Sequence, residues 1–365
     1  MERLKGLILS GGRGTRLRPI THTSAKQLVP VANKPVLFYG LEAMSEAGIS
    51  EVGIIIAPET GEEIRAAVGD GSRFGVRVHY VEQQEPLGLA HAVLTAEPFL
   101  GADPFVMYLG DNILQGGIRD LVDAFREHEP DALILLTPVS DPENYGVAVL
   151  ESEGSRDGSP GRVVRLVEKP AESISDLALV GVYMFTAAVH DAARAIAPSA
   201  RGELEITDAI QTLVDNGRRV EPHVVKGWWK DTGRLVDMLE ANRLILDTIE
   251  RRVEGELVDS QTDGRVIVEP GARLERSTVR GPSIIGAGAR IVDAYVGPYT
   301  AIGEDCLVEQ SEIEHSILLA GCSVCKLDRR MESSLLGRNV RVDHERRQPR
   351  TYRFLVGDNS EIAIP

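Results

Sequence analysis

Between residues 255 and 345 the chain keeps a six-residue beat, and no other feature restricts its fold as tightly. Aliphatic side chains step from Val268 to Leu274, from Ile285 to Ile291, and from Val296 through Ile302 to Val308. Turn residues follow them in Glu269-Pro270-Gly271, Gly286-Ala287-Gly288, Gly297-Pro298 and Gly303. One inward aliphatic and one turn per six residues suit a parallel β-helix. Each short side gives one residue to a stacked core, and no coil buries its apolar face alone. The expectation is a left-handed parallel β-helix of hexapeptide type over residues 254–345. The beat slips near 275–285 and again at 291–296, so some coils must carry irregular corners.

Upstream the period changes. Short apolar runs at 7–9, 52–57, 76–81, 105–109 and 132–137 read as strands, separated by amphipathic stretches at 35–47, 61–68, 88–96 and 118–128 that read as helices. That alternation implies an α/β fold, a Rossmann-like and mostly parallel sheet covered by helices. Beyond Tyr145 the elements are mixed. Strands are expected at 147–150, 163–167 and 182–185, a Gly/Ser-rich turn at 153–161, and helices at 206–216 and 234–251. A chain of 365 residues exceeds most single domains. The organisation expected is 1–253 for the α/β domain, 254–345 for the β-helix and 346–365 for a tail.

A formal charge of -15 opposes binding to nucleic acid and to anionic membranes. The one short basic run, Arg346, Arg347 and Arg350, reads as part of a solvated tail. The apolar stretch ending at Leu9 is too short for a signal peptide or a membrane span, so a cytoplasmic protein is expected. Cys306, Cys322 and Cys325 cannot build a disulfide framework, and the Cys322-x-x-Cys325 spacing lacks a second pair for zinc. They read as small side chains in stacked β structure.

The chemistry lies in the loops. After the first strand comes Ser10-Gly11-Gly12-Arg13-Gly14-Thr15-Arg16-Leu17-Arg18-Pro19. Gly11, Gly12 and Gly14 let backbone N–H groups approach a polyphosphate without obstruction by Cβ atoms. The loop is neither a Walker A sequence nor G-x-G-x-x-G. Lys26-Gln27-Leu28-Val29-Pro30 and Lys34-Pro35 follow it. Gly88-Leu89-Ala90, Leu109-Gly110-Asp111, Glu168-Lys169-Pro170 and Trp229-Lys230-Asp231-Thr232-Gly233 come later in that order.

This series, over nearly the whole chain, closely resembles the signature of the sugar nucleotidyltransferases. Within them it is closest to the long-form enzymes that transfer thymidylyl groups to glucose 1-phosphate and carry an appended β-helix. The resemblance implies condensation of dTTP with glucose 1-phosphate, Mg²⁺ as cofactor, and release of pyrophosphate. Two polyanions must meet in such a reaction, and each pair of unit charges 4 Å apart costs about 4 kcal/mol at an effective dielectric near 20. Arg16 and Lys26 are the cations chosen for the triphosphate. Asp111 follows a buried strand where α/β proteins place ligands, and with Asp231 it suits Mg²⁺, which takes one or two carboxylates plus phosphate oxygens.

Other roles come from the resemblance alone. Lys169 would hold the sugar phosphate, Gln83 and Gly88 would bracket the pyrimidine, and Glu168 would accept from sugar hydroxyls beside the space left by Gly146. Gly11, Gly12, Gly14 and Thr15 would line the nucleotide. His91 reads as a packing or surface histidine, and Trp228 and Trp229 as core or sugar-pocket walls. The β-helix reads as an oligomerisation or regulatory module of a homo-oligomer, and Phe354, Leu355 and Val356 in the tail would dock on a coil or a subunit. UTP or another sugar 1-phosphate remains open as substrate. An acyltransferase activity of the β-helix and a silent regulatory subunit are the alternatives of other classes.

Overall fold

The computed structural model describes residues 4–12, 14–22, 24–151, 161–344 and 352–364; the turn expected at 153–161 falls largely outside them, and Arg346, Arg347 and Arg350 entirely so. The chain forms two compact units, one from residues 1–13 and 37–231 and the other from 14–36 and 232–365.

The first unit is built on a nine-stranded sheet. Strands β1 (Lys5–Leu9), β2 (Glu51–Ile56), β3 (Arg77–Glu82) and β4 (Phe105–Leu109) are mutually parallel, with β1 between β2 and β4. Further strands are β5 (Asn112–Leu114), β6 (Ala132–Pro138), β7 (Gly146–Leu150), β8 (Val163–Glu168), β9 (Leu177–Phe185), β10 (Val220–Val224) and β11 (Trp229–Asp231). β9 runs antiparallel to β4, β6 and β7, so the sheet is mixed and its parallel part is interrupted by one long reversed strand. β5 and β11 form a separate antiparallel pair.

Side chains alternate across these strands. Leu7 and Leu9 of β1 join Phe105, Met107, Phe185, Ile206, Ile210 and Leu213 in one core. Helices α2 (Gly61–Val68), α3 (Leu89–Thr95), α4 (Glu97–Leu100), α5 (Arg119–His128), α6 (Ala188–Ala195) and α7 (Ile206–Asp215) follow the first helix, and α3, α6 and α7 pack into this core. Ile8 and Tyr108 point to the other face, where Gly40 of α1 (Val36–Glu46) lies close enough that a methyl there would meet the Tyr108 ring at 3.3 Å. Each fully buried aliphatic of this kind contributes about 1.5–3 kcal/mol.

In the second unit a left-handed β-helix stacks three parallel sheets from Arg252 to Asp343. Leu257, Leu274, Ile291, Val308, Val324 and Val342 form one column, each 16 to 18 residues beyond the last. The slips have a local cause. Leu274 to Val279 and Ile291 to Val296 are steps of five, and Arg276 (φ 47°) and Asp293 (φ 50°) take left-handed backbone to tighten those corners. An Arg276–Asp293 ion pair at 2.6 Å ties successive corners together. Cys306 and Cys322 are buried, with Sγ atoms facing the Leu319 and Gly337 carbonyls, and Cys325 is partly exposed.

One outer face of the β-helix is apolar and covered. Ile284, Ala301 and Ile317 are buried, and the same unit contains α8 (Leu235–Leu246) and the hairpin Pro30–Val31 with Lys34–Pro35. Asn242 of α8, fully buried, accepts the Ala32 N–H at 3.0 Å and donates to the Tyr299 carbonyl at 2.9 Å, and Asn33 donates to the Ile302 carbonyl at 2.7 Å. The helix expected to run to residue 251 stops at Leu246, because Arg252–Val253 pairs with the next coil. Phe354, Leu355 and Val356 are exposed.

Candidate active site

The glycine loop leaves β1 at Leu9. Gly11 stands beside Gln83, whose Oε1 would lie 3.4 Å from a Cβ at that position. Past Gly12 the chain enters the second unit. Gly14 has φ 63°, and a Cβ on it would press to 2.9 Å on Lys26 Cβ, so glycine serves here both the left-handed backbone and the close approach. Thr21 donates to the Gly14 carbonyl at 2.6 Å. A short 3-10 turn, Thr15–Leu17, is anchored by buried Leu17 and leaves Thr15 and Arg16 exposed. Lys26 opens another such turn, Lys26–Leu28, and is half-buried. The loop therefore brings two expected cation carriers, Arg16 and Lys26, into one local assembly.

In the first unit Gln83 follows β3 and Gly88 is the residue before α3. Gly88 has φ 106°, and a Cβ there would fall 2.5 Å from the Leu204 carbonyl oxygen, so no other residue fits without moving backbone. Gln83 Nε2 lies 2.8 Å from His91 Nδ1 and 3.4 Å from the Gly88 oxygen. Among the described residues, Gln83 Oε1 accepts no hydrogen bond and the Gly88 N–H donates none. One acceptor and one donor are left over on neighbouring groups.

Asp111 follows β4, whose end is held by the Gly110 N–H on the Leu9 carbonyl at 2.9 Å. The β5–β11 register sets Asn112 opposite Asp231, so the two expected metal ligands come from adjoining rungs. Asn112 fixes the arrangement. Its Nδ2 donates to Asp111 Oδ1 at 2.8 Å, and its Oδ1 accepts the Trp229 indole N–H at 2.5 Å. One carboxylate on the turn before β5 and one on β11 match the oxygen-only, part-hydrated preference of Mg²⁺. Among the described residues no group of three or more His, Cys, Asp or Glu side chains gathers as a metal cluster.

The hairpin of β7 and β8 pairs Gly146 with Glu168. Glu168 Oε2 accepts from Thr207 Oγ1 at 2.7 Å, and Oε1 lies 3.2 Å from Arg201 Nη2 and 3.8 Å from Lys169 Nζ. Arg201 also forks onto buried Glu205, at 2.9 Å to each oxygen. Glu168, Arg201 and Glu205 line a cleft of about 810 Å³ with Lys169, Ser199 and Asp208. Burial, with Glu205 and Glu168 nearby, holds the Asp208 carboxyl above the usual carboxylate range. Trp229, half-buried, meets Tyr145 edge-on at 5.5 Å.

The sequence gives no reading of Arg201, Thr207 or Asn112, and His91, read there as a packing or surface histidine, partners Gln83. The dense run Arg201-Gly202-Glu203-Leu204-Glu205-Ile206-Thr207, charged up to the first turn of α7, was the available signal for the first two.

Cations on a glycine loop, a carboxylate pair, and a carboxylate–hydroxyl pair suited to a polyol are the groups that nucleotidyl transfer to a sugar phosphate requires. The chain belongs to the nucleotidyl transferase family, whose model matches residues 5–248. It is 56% identical over 363 residues to a glucose-1-phosphate thymidylyltransferase of Streptomyces griseus, covering 99% of each chain. It is 46% identical over 365 residues to a low-salt glycan biosynthesis nucleotidyltransferase of Haloferax volcanii, covering 99% of this chain and 100% of that one. A crystal structure of a Bacillus anthracis protein described as a glucose-1-phosphate thymidylyltransferase, in complex with a sucrose, superposes with a TM-score of 0.61 at 35% identity. That match covers 66% of this chain and 94% of the Bacillus chain.

Proposed function

We propose that this chain condenses dTTP with glucose 1-phosphate to dTDP-glucose and pyrophosphate. The observation that carries the reading is the 56% identity to the Streptomyces griseus enzyme along essentially the full length, β-helix included. The local chemistry supports it. Gln83 Oε1 and the Gly88 N–H, without partners among the described residues, complement the N3–H and O4 of a thymine or uracil ring. Glu168, held by Thr207 and Arg201, accepts from sugar hydroxyls, and Gly146 leaves the room that the Glu168 carboxylate and the Thr207 hydroxyl occupy.

In this mechanism a phosphate oxygen of the sugar phosphate attacks the α-phosphorus of the triphosphate. A new P–O bond forms there as the bond to the β-phosphate oxygen breaks, and pyrophosphate leaves opposite the nucleophile. The sugar phosphate is ionised at neutral pH, so no general base is needed. Arg16 and Lys26 offset charge on the triphosphate and on the phosphoryl group in flight, and Lys169 holds the incoming phosphate. Asp111 and Asp231 would hold Mg²⁺, which supplies further positive charge to the phosphate oxygens. The backbone of Gly11, Gly12, Gly14 and Thr15 lines the nucleotide. We assign catalysis to 1–253 and subunit assembly to the β-helix of 254–345, in a cytoplasmic homo-oligomer. No helix among the described residues is long and apolar enough to cross a membrane.

Pyrophosphate release from glucose 1-phosphate, with dTTP, UTP, GTP, CTP and ATP offered separately, tests the assignment. Fastest release with dTTP is the expected result. UTP is the second reading, because the Gln83 and Gly88 pair reads an edge that uracil shares. Release no faster with either than with ATP would refute the base assignment.

A further inference from the structure

The hydrogens on the Gln83 amide are both committed, and the choice of partners fixes which end of the amide is left. Nε2 sits between His91 Nδ1 at 2.8 Å and the Gly88 carbonyl oxygen at 3.4 Å, while Oε1 lies beside Gly11. A side chain only 8% exposed takes its orientation from protein neighbours. The Gly88 carbonyl can only accept, so rotation of the amide would set two oxygens against each other. A His91 whose hydrogen is on Nε2 accepts at Nδ1 and reinforces the same orientation. The start of α3 builds this geometry. Gly88 and His91 are three residues apart, one helical turn, and the Ala92 N–H bonds the Gly88 oxygen at 3.2 Å while Thr95 caps the His91 carbonyl at 2.8 Å.

We propose that His91 is a positioning residue for nucleobase selection: by accepting a Gln83 amide hydrogen at Nδ1, it keeps Oε1 available as an acceptor that an imide N–H satisfies. The inference rests on the reading of Gln83 and Gly88 as the base contacts. Thymine and uracil present N3–H and O4, a donor and an acceptor, which match Oε1 and the Gly88 N–H. Cytosine presents a bare N3 and an amino group, which oppose both. An amide free to rotate would present hydrogens in place of Oε1 and lose this distinction. His91 touches no reacting atom in this scheme. It acts through Gln83.

The test compares kcat/KM for dTTP and dCTP, with glucose 1-phosphate and Mg²⁺, in the full-length wild type and in His91→Leu, His91→Ala, His91→Asn and Gln83→Leu. The dTTP/dCTP ratio is taken within each protein, so the folded fraction cancels. His91→Leu should lower the ratio by about 10-fold or more, in line with the discrimination that paired base contacts supply. The change should lie mainly in KM for dTTP. His91→Ala provides the same loss through a smaller side chain should the leucine protein fail to fold. His91→Asn, whose Oδ1 stands near the former Nδ1, should keep the ratio within about threefold of wild type. A wild-type ratio in His91→Leu or His91→Ala, alongside a collapsed ratio in Gln83→Leu, overturns the role of His91 and spares the base assignment. An unchanged ratio in Gln83→Leu overturns both. Equal losses in His91→Asn and His91→Leu refute acceptance at Nδ1.

Discussion

Gly146→Ala places one methyl group against the carboxylate assigned to the sugar. A Cβ built on Gly146 lies 2.9 Å from Glu168 Oε2 and 2.9 Å from Thr207 Oγ1, whereas ordinary contact begins at 3.4 Å, so each oxygen must retreat by about 0.5 Å. The backbone at Gly146 is ordinary strand, which alanine adopts without strain. The cost therefore falls on the 2.7 Å Thr207–Glu168 hydrogen bond. Hydrogen bonds to a charged group contribute about 1.5–3 kcal/mol, which corresponds to roughly 10- to 150-fold in affinity. KM for glucose 1-phosphate should rise by about that factor, while KM for dTTP stays within about twofold because Gln83 and Gly88 are not among the groups displaced. Pyrophosphate release, varying one substrate at saturating levels of the other, reads both constants. An unchanged sugar-phosphate KM, or an equal rise in both, would refute the reasoning.

Asp111→Asn and Asp231→Asn should each lower turnover by about 100-fold or more and raise the Mg²⁺ concentration needed for half-maximal rate, read by titrating MgCl₂; an unshifted titration would remove them from the metal. Asn242→Leu leaves the buried Ala32 N–H and the Tyr299 carbonyl without their partner, a loss of about 2–5 kcal/mol visible in urea denaturation. An unmoved midpoint would contradict it. Burial against Phe105 pushes His190 below the ordinary histidine range, with Glu97 and Asp191 opposing and Arg194 reinforcing the shift. The folded chain thus resists a proton that the unfolded chain accepts near pH 6.5, so stability is full above that pH and falls beneath it. In His190→Phe the decline in denaturation midpoint from pH 7 toward 5 should be shallower than in wild type.

The parts of the site that were legible in the sequence are those carried by contiguous motifs. Gly14 and Lys26, twelve residues apart, and the neighbours Glu168 and Lys169 lie in short runs that resemble the family's motifs, and they are read from that resemblance. Asn112 and Trp229 are 117 residues apart, and the three-residue strands that join them are too short to show any periodicity. Their function as a clasp on Asp111 emerges only in the fold. β9 illustrates a different limit. Its apolar run is equally at home parallel or antiparallel, so its presence was readable and its direction was not. In the β-helix the expected slips did correspond to tight corners, since left-handed backbone at Arg276 and Asp293 shortens the side without disturbing the inward column. Gly88 was expected near the base, but the reason only glycine fits is the Leu204 backbone, contributed from a distant loop.

The unit that carries Arg16 and Lys26 is stitched from chain stretches on either side of residues 37–231. During synthesis Ala32 leaves the ribosome 210 residues ahead of Asn242, the partner it bonds, and Asn33 waits longer still for Ile302. At about 5–20 residues per second, that interval is on the order of ten to forty seconds. Throughout it the nascent chain has made the glycine loop and the hairpin after it, and lacks what that hairpin is fastened to. A translation product cut short before α8 would hold most of the sheet, with that hairpin left unmoored. Premature termination in this gene would thus yield an inactive fragment, not a partly working enzyme.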